Sequence, residues 1–244
     1  MITATARYTA SDAALYDDHA AHWWDGSKRW VRTLQNMVPG RFLHFDPIVE
    51  QHGGWQGKRV LDLGCAGGFM SEALAQRGAS VTGIDPAEKA VDAARVHAKF
   101  RELDIRYDVG VGEALPYEDA AYDYVVCVDV LEHVGDLDKV VSEVARVLKP
   151  GGLFLFDTIN RNLASRFAVI TMAESVLRLL PTGTHDHKMF IKPAELTARL
   201  RDHGLVSGKL RGLGPRGLNT KLDPTFGILP LTAILYIGHA VREG

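Results

Sequence analysis

The stretch Val60-Leu61-Asp62-Leu63-Gly64-Cys65-Ala66-Gly67-Gly68 decides the fold. An apolar strand runs into a loop of small residues, and this loop leads into a helix. Glycines let the backbone of such a loop approach a ligand closely, and the first turn of the helix presents free N–H groups to it. A second acid, Asp85, ends the next strand about twenty residues after Gly64. From this position a carboxylate can accept from both hydroxyls of a ribose.

Two alternatives to a nucleoside site are open for this loop. One is a tight strand–helix turn without a ligand, which the position of Asp85 disfavours. The other is a dinucleotide-binding fold, whose loop must admit a pyrophosphate. The carboxylate of Asp62, just before the loop, would repel a pyrophosphate and attract a cation. The pattern therefore favours a positively charged nucleoside, and S-adenosylmethionine fits through its sulfonium and ammonium groups.

Strands and helices alternate around this loop. Strands are predicted at 59–63, 81–84, 105–109, 122–128 and 153–156, and helices at 69–77, 88–100, 137–148 and 193–203. This alternation predicts an α/β fold with a doubly wound, mostly parallel Rossmann-like sheet and helices on both faces. We expect one domain over residues 1–244, with a lid or membrane-facing insertion over 158–192 after the fifth strand.

A helical N-terminal extension is predicted over residues 1–57. Asp12 can cap a first helix that runs through Asp25. A second helix is predicted from Arg29 to Phe45, with an interruption near Pro39-Gly40, because proline and glycine both disfavour helix interiors.

The composition is that of an ordinary globular protein. Hydrophobic residues make up 46%, charged residues 24%, and the formal net charge is −2, so a basic nucleic-acid binder is disfavoured. The two cysteines, Cys65 and Cys127, form no disulfide framework and indicate a reducing compartment. No secretory signal is visible at the N-terminus, and we expect a cytoplasmic protein, with peripheral membrane contact as an option taken up below. The sequence does not indicate an oligomeric state.

The glycine-rich loop resembles the first motif of class I S-adenosylmethionine-dependent methyltransferases, with Ala66 where glycine is usual. The stretch Gly112-Glu113-Ala114-Leu115-Pro116-Tyr117 resembles the loop that covers the adenine. Val111 stands where many relatives carry an acid, so a backbone N–H of Gly112 or Glu113 would serve the adenine instead. The cofactor contacts expected from the motifs and this resemblance are Arg41, Asp62, Gly64, Ala66, Gly68, Asp85, Gly112, Glu113 and Val128.

Four further pieces resemble a narrower group, the ubiquinone-biosynthesis O-methyltransferase family. They are Trp23-Trp24-Asp25, Asn160-Arg161-Asn162, Gly183-Thr184-His185-Asp186 and Phe190-Ile191-Lys192-Pro193-Ala194-Glu195-Leu196. The similarity covers about residues 15 to 205, whereas residues 25–42 and the chain after Gly212 depart from the family pattern. The resemblance implies methylation of polyprenylated catechol and demethylubiquinol rings, with a phenol or quinol as the small-molecule substrate.

Asp129, Glu132 and His133 follow the fourth strand, where doubly wound sheets bind ligands. Their i, i+3, i+4 spacing can place all three side chains on one face of a helical turn. Such a set could hold a divalent cation, and the resemblance implies magnesium. The alternative is a turn that shapes the cofactor pocket without a metal. In either case His133 is the candidate general base for a phenol.

Other candidates keep two interpretations each. Arg41 falls where the resembled family has a cofactor-contacting arginine, and it could pair with the methionine carboxylate or be a solvated helix-face residue. Trp23 and Trp24 could form a lid or pack against the sheet. His185 could orient the substrate, with Asp186 fixing its ring, or it could belong to a structural turn.

The segment from Leu163 to Leu180 is the candidate contact with a lipid surface. Its apolar residues are Leu163, Phe167, Ile170, Met172, Val176, Leu177, Leu179 and Leu180, and basic residues in and around it are Arg161, Arg166, Arg178, Lys188 and Lys192. An apolar helix with basic flanks can lie among lipid headgroups. The alternative is a lid helix packed on the sheet, because the apolar positions occupy most of the helix circumference.

Two rival functions are open, and a third is disfavoured. The chain could methylate another small molecule at oxygen or nitrogen, or it could be a non-catalytic cofactor-binding subunit of a biosynthetic complex. Methylation of nucleic-acid amino groups is disfavoured, because such enzymes carry an Asn/Asp-Pro-Pro-aromatic run where Val128-Asp129-Val130-Leu131 stands here.

Overall fold

The structure is a computed structural model that describes residues 13–177 and 179–244. The helix cap predicted at Asp12 and the basic side chain of Arg178 lie outside these residues. Residues 13–18 are helical and a short 3-10 helix covers Ala20–His22, after which the chain turns. The prediction of one helix through Asp25 is therefore wrong; the Asp25 carboxylate instead accepts from the Ser27 N–H in a local turn.

Helix α1 covers Arg29–Glu50 without a break. The interruption predicted at Pro39-Gly40 is therefore wrong. The buried face of α1 packs on the sheet and compensates for the hydrogen bond that proline removes. Gly40 serves this packing, since a Cβ there would lie 2.7 Å from the Phe226 carbonyl oxygen.

Within the described residues, nine strands form one sheet. They are β1 (Arg59–Leu63), β2 (Ser80–Asp85), β3 (Ile105–Val109), β4 (Tyr122–Cys127), β5 (Leu148–Ile159), β6 (Leu205–Ser207), β7 (Arg211–Leu218), β8 (Pro224–Leu229) and β9 (Leu235–Arg242). The order is β3-β2-β1-β4-β5-β9-β7-β8, with β6 paired to β9. The first five strands are parallel, and the last four add antiparallel pairs.

Helices cover both faces of the sheet, as predicted. They are α2 (Phe69–Ala75), α3 (Glu88–Phe100), α4 (Leu137–Val147) and α6 (Pro193–Asp202), with α5 (Leu163–Ser165) continuing as a π-helix over Arg166–Val176. One core layer joins α1 and α2 to the sheet, and the other joins α4 and α6. Alternation along β1 illustrates this, since Val60 belongs to the first layer and Leu61 to the second. The α/β, Rossmann-like architecture predicted from the sequence is confirmed.

The largest difference from the predicted elements is β5, which covers twelve residues instead of 153–156. Its C-terminal half is extended by antiparallel pairing, with Thr158 opposite Tyr236 on β9. This pairing joins residues far apart in the chain. It also places Asp157 and Thr158 beside the loop that follows β4. Among the described residues, no helix is both long and apolar enough to cross a bilayer.

Candidate active site

A cavity of about 130 Å³ lies at the carboxyl ends of β1, β2 and β4. This is the edge at which doubly wound sheets bind ligands. Seven of the nine predicted cofactor contacts line it, namely Arg41, Gly64, Ala66, Asp85, Gly112, Glu113 and Val128. The structure thus brings together residues from five separate parts of the chain.

The glycine-rich loop is shaped by protein contacts. Gly64 has a φ of +80°, and a Cβ there would lie 2.1 Å from Val130 Cγ2. Ala66 adopts a φ of +42°, which costs a residue with a Cβ about 1–2 kcal/mol. This cost explains why glycine would be the more favourable residue at position 66.

Asp85 closes this loop from the neighbouring strand. Its Oδ2 accepts from the Ala66 N–H at 2.9 Å and its Oδ1 from the Ala87 N–H at 2.8 Å. Burial raises the pKa of Asp85 to about 6, although these two amides lower it in part. Each oxygen keeps a second lone pair, so the carboxylate can still accept from ribose hydroxyls.

Asp62 and Gly68 are predicted cofactor contacts that do not line the cavity. The Asp62 carboxylate is buried, and it accepts from the Ser71 hydroxyl at 2.5 Å. Burial raises the pKa of Asp62 to about 7. Gly68 has a φ of +91° and lies against Tyr107, so its role here is to begin α2. Neither residue lines the cavity, so a contact of Asp62 or Gly68 with the cofactor stays a prediction.

The adenine-side loop is fastened to the turn before α4. Glu113 Oε1 accepts from the Gly135 N–H at 2.8 Å and from the Asp136 N–H at 3.3 Å. Gly112 packs against Leu63 and Val140, where a Cβ would lie 3.3 Å from both. The Glu113 side chain is thus committed to the protein, while its backbone borders the cavity.

Arg41 lies 3% exposed on α1 between two carboxylates. Its Nε donates to Asp157 Oδ2 at 2.6 Å, and its Nη2 donates to Asp129. Burial alone would lower the pKa of Arg41, but the two carboxylates raise it well above its ordinary value. The solvated helix-face alternative is therefore wrong. Arg41 lines the first cavity while it is paired with Asp129 and Asp157.

The two tryptophans before α1 cover the glycine-rich loop. Trp23 packs so closely on Gly67 that a Cβ there would lie 1.8 Å from its Cδ1. Trp24 donates from Nε1 to the Gly67 carbonyl at 2.9 Å and stacks on His97, with ring centroids 3.5 Å apart. Trp23, but not Trp24, lines the cavity.

A second cavity, of about 250 Å³, adjoins the first. The two share four wall residues, namely Tyr16, Leu34, Asp129 and His133. The other walls of the second cavity are largely apolar and come from α1, the π-helix and the β8–β9 region. A cofactor in the first cavity and an apolar acceptor in the second would therefore meet beside Asp129 and His133.

The predicted trio of Asp129, Glu132 and His133 is not the group that the structure assembles. Asp129 has a φ of +54° and precedes a 3-10 turn, Leu131–His133, so helical spacing does not apply to it. Its carboxylate pairs with Arg41 instead. Ligand atoms of Glu132, His133 and His185 lie within 4.8 Å of one another. His185 thus occupies the place in the group that the spacing assigned to Asp129.

Glu132 is the buried member of this group. Its Oε2 accepts from the Thr158 hydroxyl at 2.6 Å, whereas its Oε1 is buried with no hydrogen-bond partner. Burial raises the pKa of Glu132. A buried carboxylate oxygen without a donor is costly, and a cation would satisfy it.

His185 is held by Glu174, not by Asp186. Its Nδ1 lies 2.7 Å from Glu174 Oε1, whereas Asp186 accepts from the Lys188 N–H. The His185 ring lies 5.1 Å from that of His133. The expectation that Asp186 fixes the ring is therefore wrong.

Sequence reasoning missed Asp157 and Glu174. Each carried a signal, because Asp157 follows an apolar strand and Glu174 is the only acid between Leu163 and Leu180. A lone acid in an apolar segment is expected to be paired when buried. Both side chains are indeed buried and paired.

Comparison with known proteins agrees with this geometry. Residues 61–156 match the family model described as a methyltransferase domain. A ubiquinone biosynthesis O-methyltransferase from Alkalilimnicola ehrlichii is 38% identical over 97% of this chain and 94% of its own length. One from Bordetella avium is 46% identical over 80% of this chain and 79% of its own. The chain belongs to the ubiquinone biosynthesis O-methyltransferase family.

Proteins of solved structure share this fold at lower sequence identity. A methyltransferase from Thermotoga maritima matches with a TM-score of 0.65 at 15% identity, covering 94% of this chain and 99% of that one. The magnesium protoporphyrin IX methyltransferase from Synechocystis, solved with bound SAH, matches with a TM-score of 0.62 at 22% identity, covering 88% and 85%. These two similarities show the fold. Its family membership and the methyltransferase domain over residues 61–156 make the chain an S-adenosylmethionine-dependent methyltransferase, and its first cavity is the candidate cofactor site.

Proposed function

We propose that this methyltransferase transfers a methyl group to a phenolic oxygen of a polyprenylated catechol or demethylubiquinol-type ring, in ubiquinone biosynthesis. The observation that carries the proposal is the junction of the two cavities at His133. A small apolar acceptor suits the second cavity, and the names of the relatives supply the pathway. We also propose that residues 1–244 form a single methyltransferase domain.

Alignment is the first task of the protein. S-adenosylmethionine, when bound, supplies a methyl group that is already activated by the sulfonium. The chain then has to hold an acceptor oxygen about 3 Å from that methyl group and in line with it. We assign Arg41, Gly64, Ala66, Asp85, Gly112, Glu113 and Val128 to the cofactor and the second cavity to the acceptor. When the methionine moiety of the cofactor enters the cavity, either Arg41 or one of its two carboxylate partners would give up a contact within the ion pair and contact the cofactor instead.

Deprotonation of the acceptor is the second task. A phenol has a pKa near 10, so it is mostly protonated at neutral pH. His133 lines both cavities and is the side chain placed to accept this proton. General base catalysis of this kind contributes roughly 10²–10⁴-fold to the rate. The imidazole must be neutral to act.

A metal proposal rests on the group of Glu132, His133 and His185. Two imidazoles and one carboxylate suit a divalent transition-metal ion better than magnesium, which prefers oxygen ligands. Magnesium, expected from Asp129, Glu132 and His133, therefore does not fit the assembled residues. A transition-metal ion does fit, because it would satisfy the buried Oε1 of Glu132. Such an ion would lower the pKa of a bound phenol. It would replace general base catalysis by His133, because an imidazole lone pair that binds a metal cannot also accept a proton.

Titration calorimetry tests the metal proposal without relying on turnover. The wild type should bind Mn²⁺ or Zn²⁺ more tightly than Mg²⁺, and Glu132→Ala should weaken that binding. Chelation should stop turnover but leave cofactor binding intact. Full activity in excess chelator, with an active Glu132→Ala variant, would leave His133 as a base alone.

We also propose that the outer side of the insertion contacts lipid, where a polyprenylated acceptor resides. Leu163 is 79% exposed and Phe167 59% exposed, with the exposed cations Arg166, Lys188 and Lys192 nearby in the chain. The inner side packs through Val169 against Ile159 and Phe190. The helix therefore combines a core-facing side with an outward apolar side, as an interfacial helix does.

Flotation with vesicles that contain anionic lipid tests this docking. The wild type should float in a salt-sensitive way, because each nearby cation adds about 1 kcal/mol. The double variant Leu163→Glu, Phe167→Glu should remain folded but should not float with the vesicles. Phe100→Glu is the matched control, since Phe100 is 80% exposed on α3, away from the insertion. Absence of flotation by the wild type would reject the proposal.

The acceptor is tested by mass spectrometry of quinones extracted from cells that lack the protein. A catechol or demethylubiquinol-type intermediate should accumulate, and the wild-type gene should remove it. A normal quinone profile would reject the role in ubiquinone biosynthesis.

A further inference from the structure

We propose that Glu174 is a positioning residue of the acceptor site, which fixes the tautomer and orientation of His185. Its catalytic consequence rests on the proposed function, whereas the tautomer itself can be measured without turnover. Glu174 belongs to the π-helix of the insertion, and His185 lies in the loop before α6. In this role of Glu174, the insertion over residues 158–192 contributes directly to the acceptor site.

The Glu174 carboxylate makes three contacts to one loop. Oε2 accepts from the Gly183 N–H at 2.7 Å, and Oε1 accepts from the His185 N–H at 3.1 Å. Oε1 also lies 2.7 Å from His185 Nδ1. Glu174 is only 1% exposed. A buried carboxylate in an apolar helix is retained only with such partners, so the contacts explain why an acid is tolerated here.

The contact to Nδ1 decides which ring nitrogen is left for a ligand. A carboxylate accepts and does not donate when ionised, so Nδ1 must carry the proton in this pair. In neutral His185 the lone pair is then on Nε2. The same carboxylate–imidazole arrangement orients histidines that bind metals or protons in other sites.

The position of His185 would let this tautomer interact with an acceptor or a cation. His185 lines the second cavity together with His133, and the two rings lie 5.1 Å apart. Its group with Glu132 and His133 brings three ligand atoms within 4.8 Å. An Nε2 lone pair held at this place can accept a hydrogen bond from the acceptor hydroxyl or bind a cation.

The direct experiment is ¹⁵N NMR of the histidine-labelled full chain, without acceptor. In the wild type, at an alkaline pH at which the imidazole is neutral, His185 should show the Nδ1-protonated tautomer. Glu174→Ala should convert it to a tautomer mixture, whereas Glu174→Gln should largely keep the tautomer because the amide oxygen can still accept from Nδ1. Asp186→Asn, which changes the acid next to His185, is the matched control and should leave the spectrum unchanged.

Kinetics supply the second readout. Glu174→Ala should lower kcat by about ten- to a hundredfold, the usual cost of removing such an orienting partner. Cofactor affinity should stay unchanged, and Glu174→Gln should recover most of kcat. Asp186→Asn should match the wild type.

Each result bears on the proposal. An Nε2-protonated His185 in the wild type would overturn it even if Glu174→Ala failed to fold. A folded Glu174→Ala chain with an unchanged tautomer would overturn it as well. If the tautomer behaves as expected but no catechol or quinol is methylated by the wild type, the positioning role stands and the proposed function fails.

Discussion

The proposed cofactor cavity and the proposed acceptor cavity are built in different ways. Most of the proposed cofactor cavity comes from the strand–loop units of the sheet, to which α1 adds Arg41, and backbone amides hold its side chains Asp85 and Glu113. The acceptor cavity is made from segments far apart in the chain, including α1, the insertion and the β8–β9 region. Its polar group His185 is held by the side chain of Glu174. The first cavity therefore depends mainly on local strand–loop units, and the second depends on packing between segments far apart in the chain.

The largest expected effect is at the border between the two cavities. His133→Ala should lower the rate of methyl transfer by about 10²–10⁴-fold, because it removes the general base. Cofactor affinity should change little, since other side chains bind the nucleoside. Single-turnover kinetics and calorimetry on the same protein measure the two quantities. A parallel loss of both would mean that the border residue serves the cofactor cavity alone.

A large effect on stability is expected at Arg41, which links α1 to the ends of β4 and β5. Arg41→Met removes the cation between two carboxylates and should lower the free energy of unfolding by about 3–5 kcal/mol. Arg199→Met is the matched control, because its pair with Asp138 is exposed and worth less than about 1 kcal/mol. Denaturant unfolding of both variants checks the difference. Equal losses would show that the buried pair is not what joins these elements.

The cofactor side was largely predictable from the sequence, because its signals are local. The strands at 59–63 and 105–109 and the helix at 88–100 have the predicted bounds. A glycine-rich loop and an acid at the end of the next strand identify the nucleoside site without long-range information. Even here, the pattern could not show that Asp62 turns to Ser71 instead of the cavity.

The acceptor side was less predictable, because its contacts are long-range. Packing of α1 on β8 keeps the helix continuous through Pro39, against local propensity. Helical spacing suggested Asp129 as a partner of His133, but the left-handed backbone at Asp129 turns its carboxylate to Arg41. The pairing of His185 with Glu174 spans a loop whose shape no local pattern encodes.

A smaller, selective effect is expected at Asp85. Asp85→Ala should weaken S-adenosylmethionine binding at least about tenfold, because each charge-assisted hydrogen bond to a ribose hydroxyl contributes about 1.5–3 kcal/mol. The rate of methyl transfer at saturating cofactor should fall much less, in contrast with His133→Ala. Asp92→Ala, on the exposed side of α3, is the control. Unchanged affinity by calorimetry would remove the ribose role.

The smallest effect is a pH dependence confined to the cofactor cavity. The pKa of Asp85 is raised by burial to about 6, and ribose binding favours its ionised form. Cofactor affinity should therefore rise with pH through about 6 and level off above it, with roughly a twofold loss at pH 6 relative to pH 8. Asp85→Asn should abolish this step. A step that persists in Asp85→Asn would assign the titration to another group.

If the two cavities meet as proposed, a methyl group passes directly to a phenolic oxygen. Mass spectrometry tests this transfer most directly, with the purified chain, S-adenosylmethionine carrying a deuterated methyl group, and a prenylated catechol. We expect an aryl methyl ether that carries the deuterated methyl group, formed by the wild type and nearly absent with His133→Ala. Label on a ring carbon, or cofactor binding without any labelled ether, would contradict it.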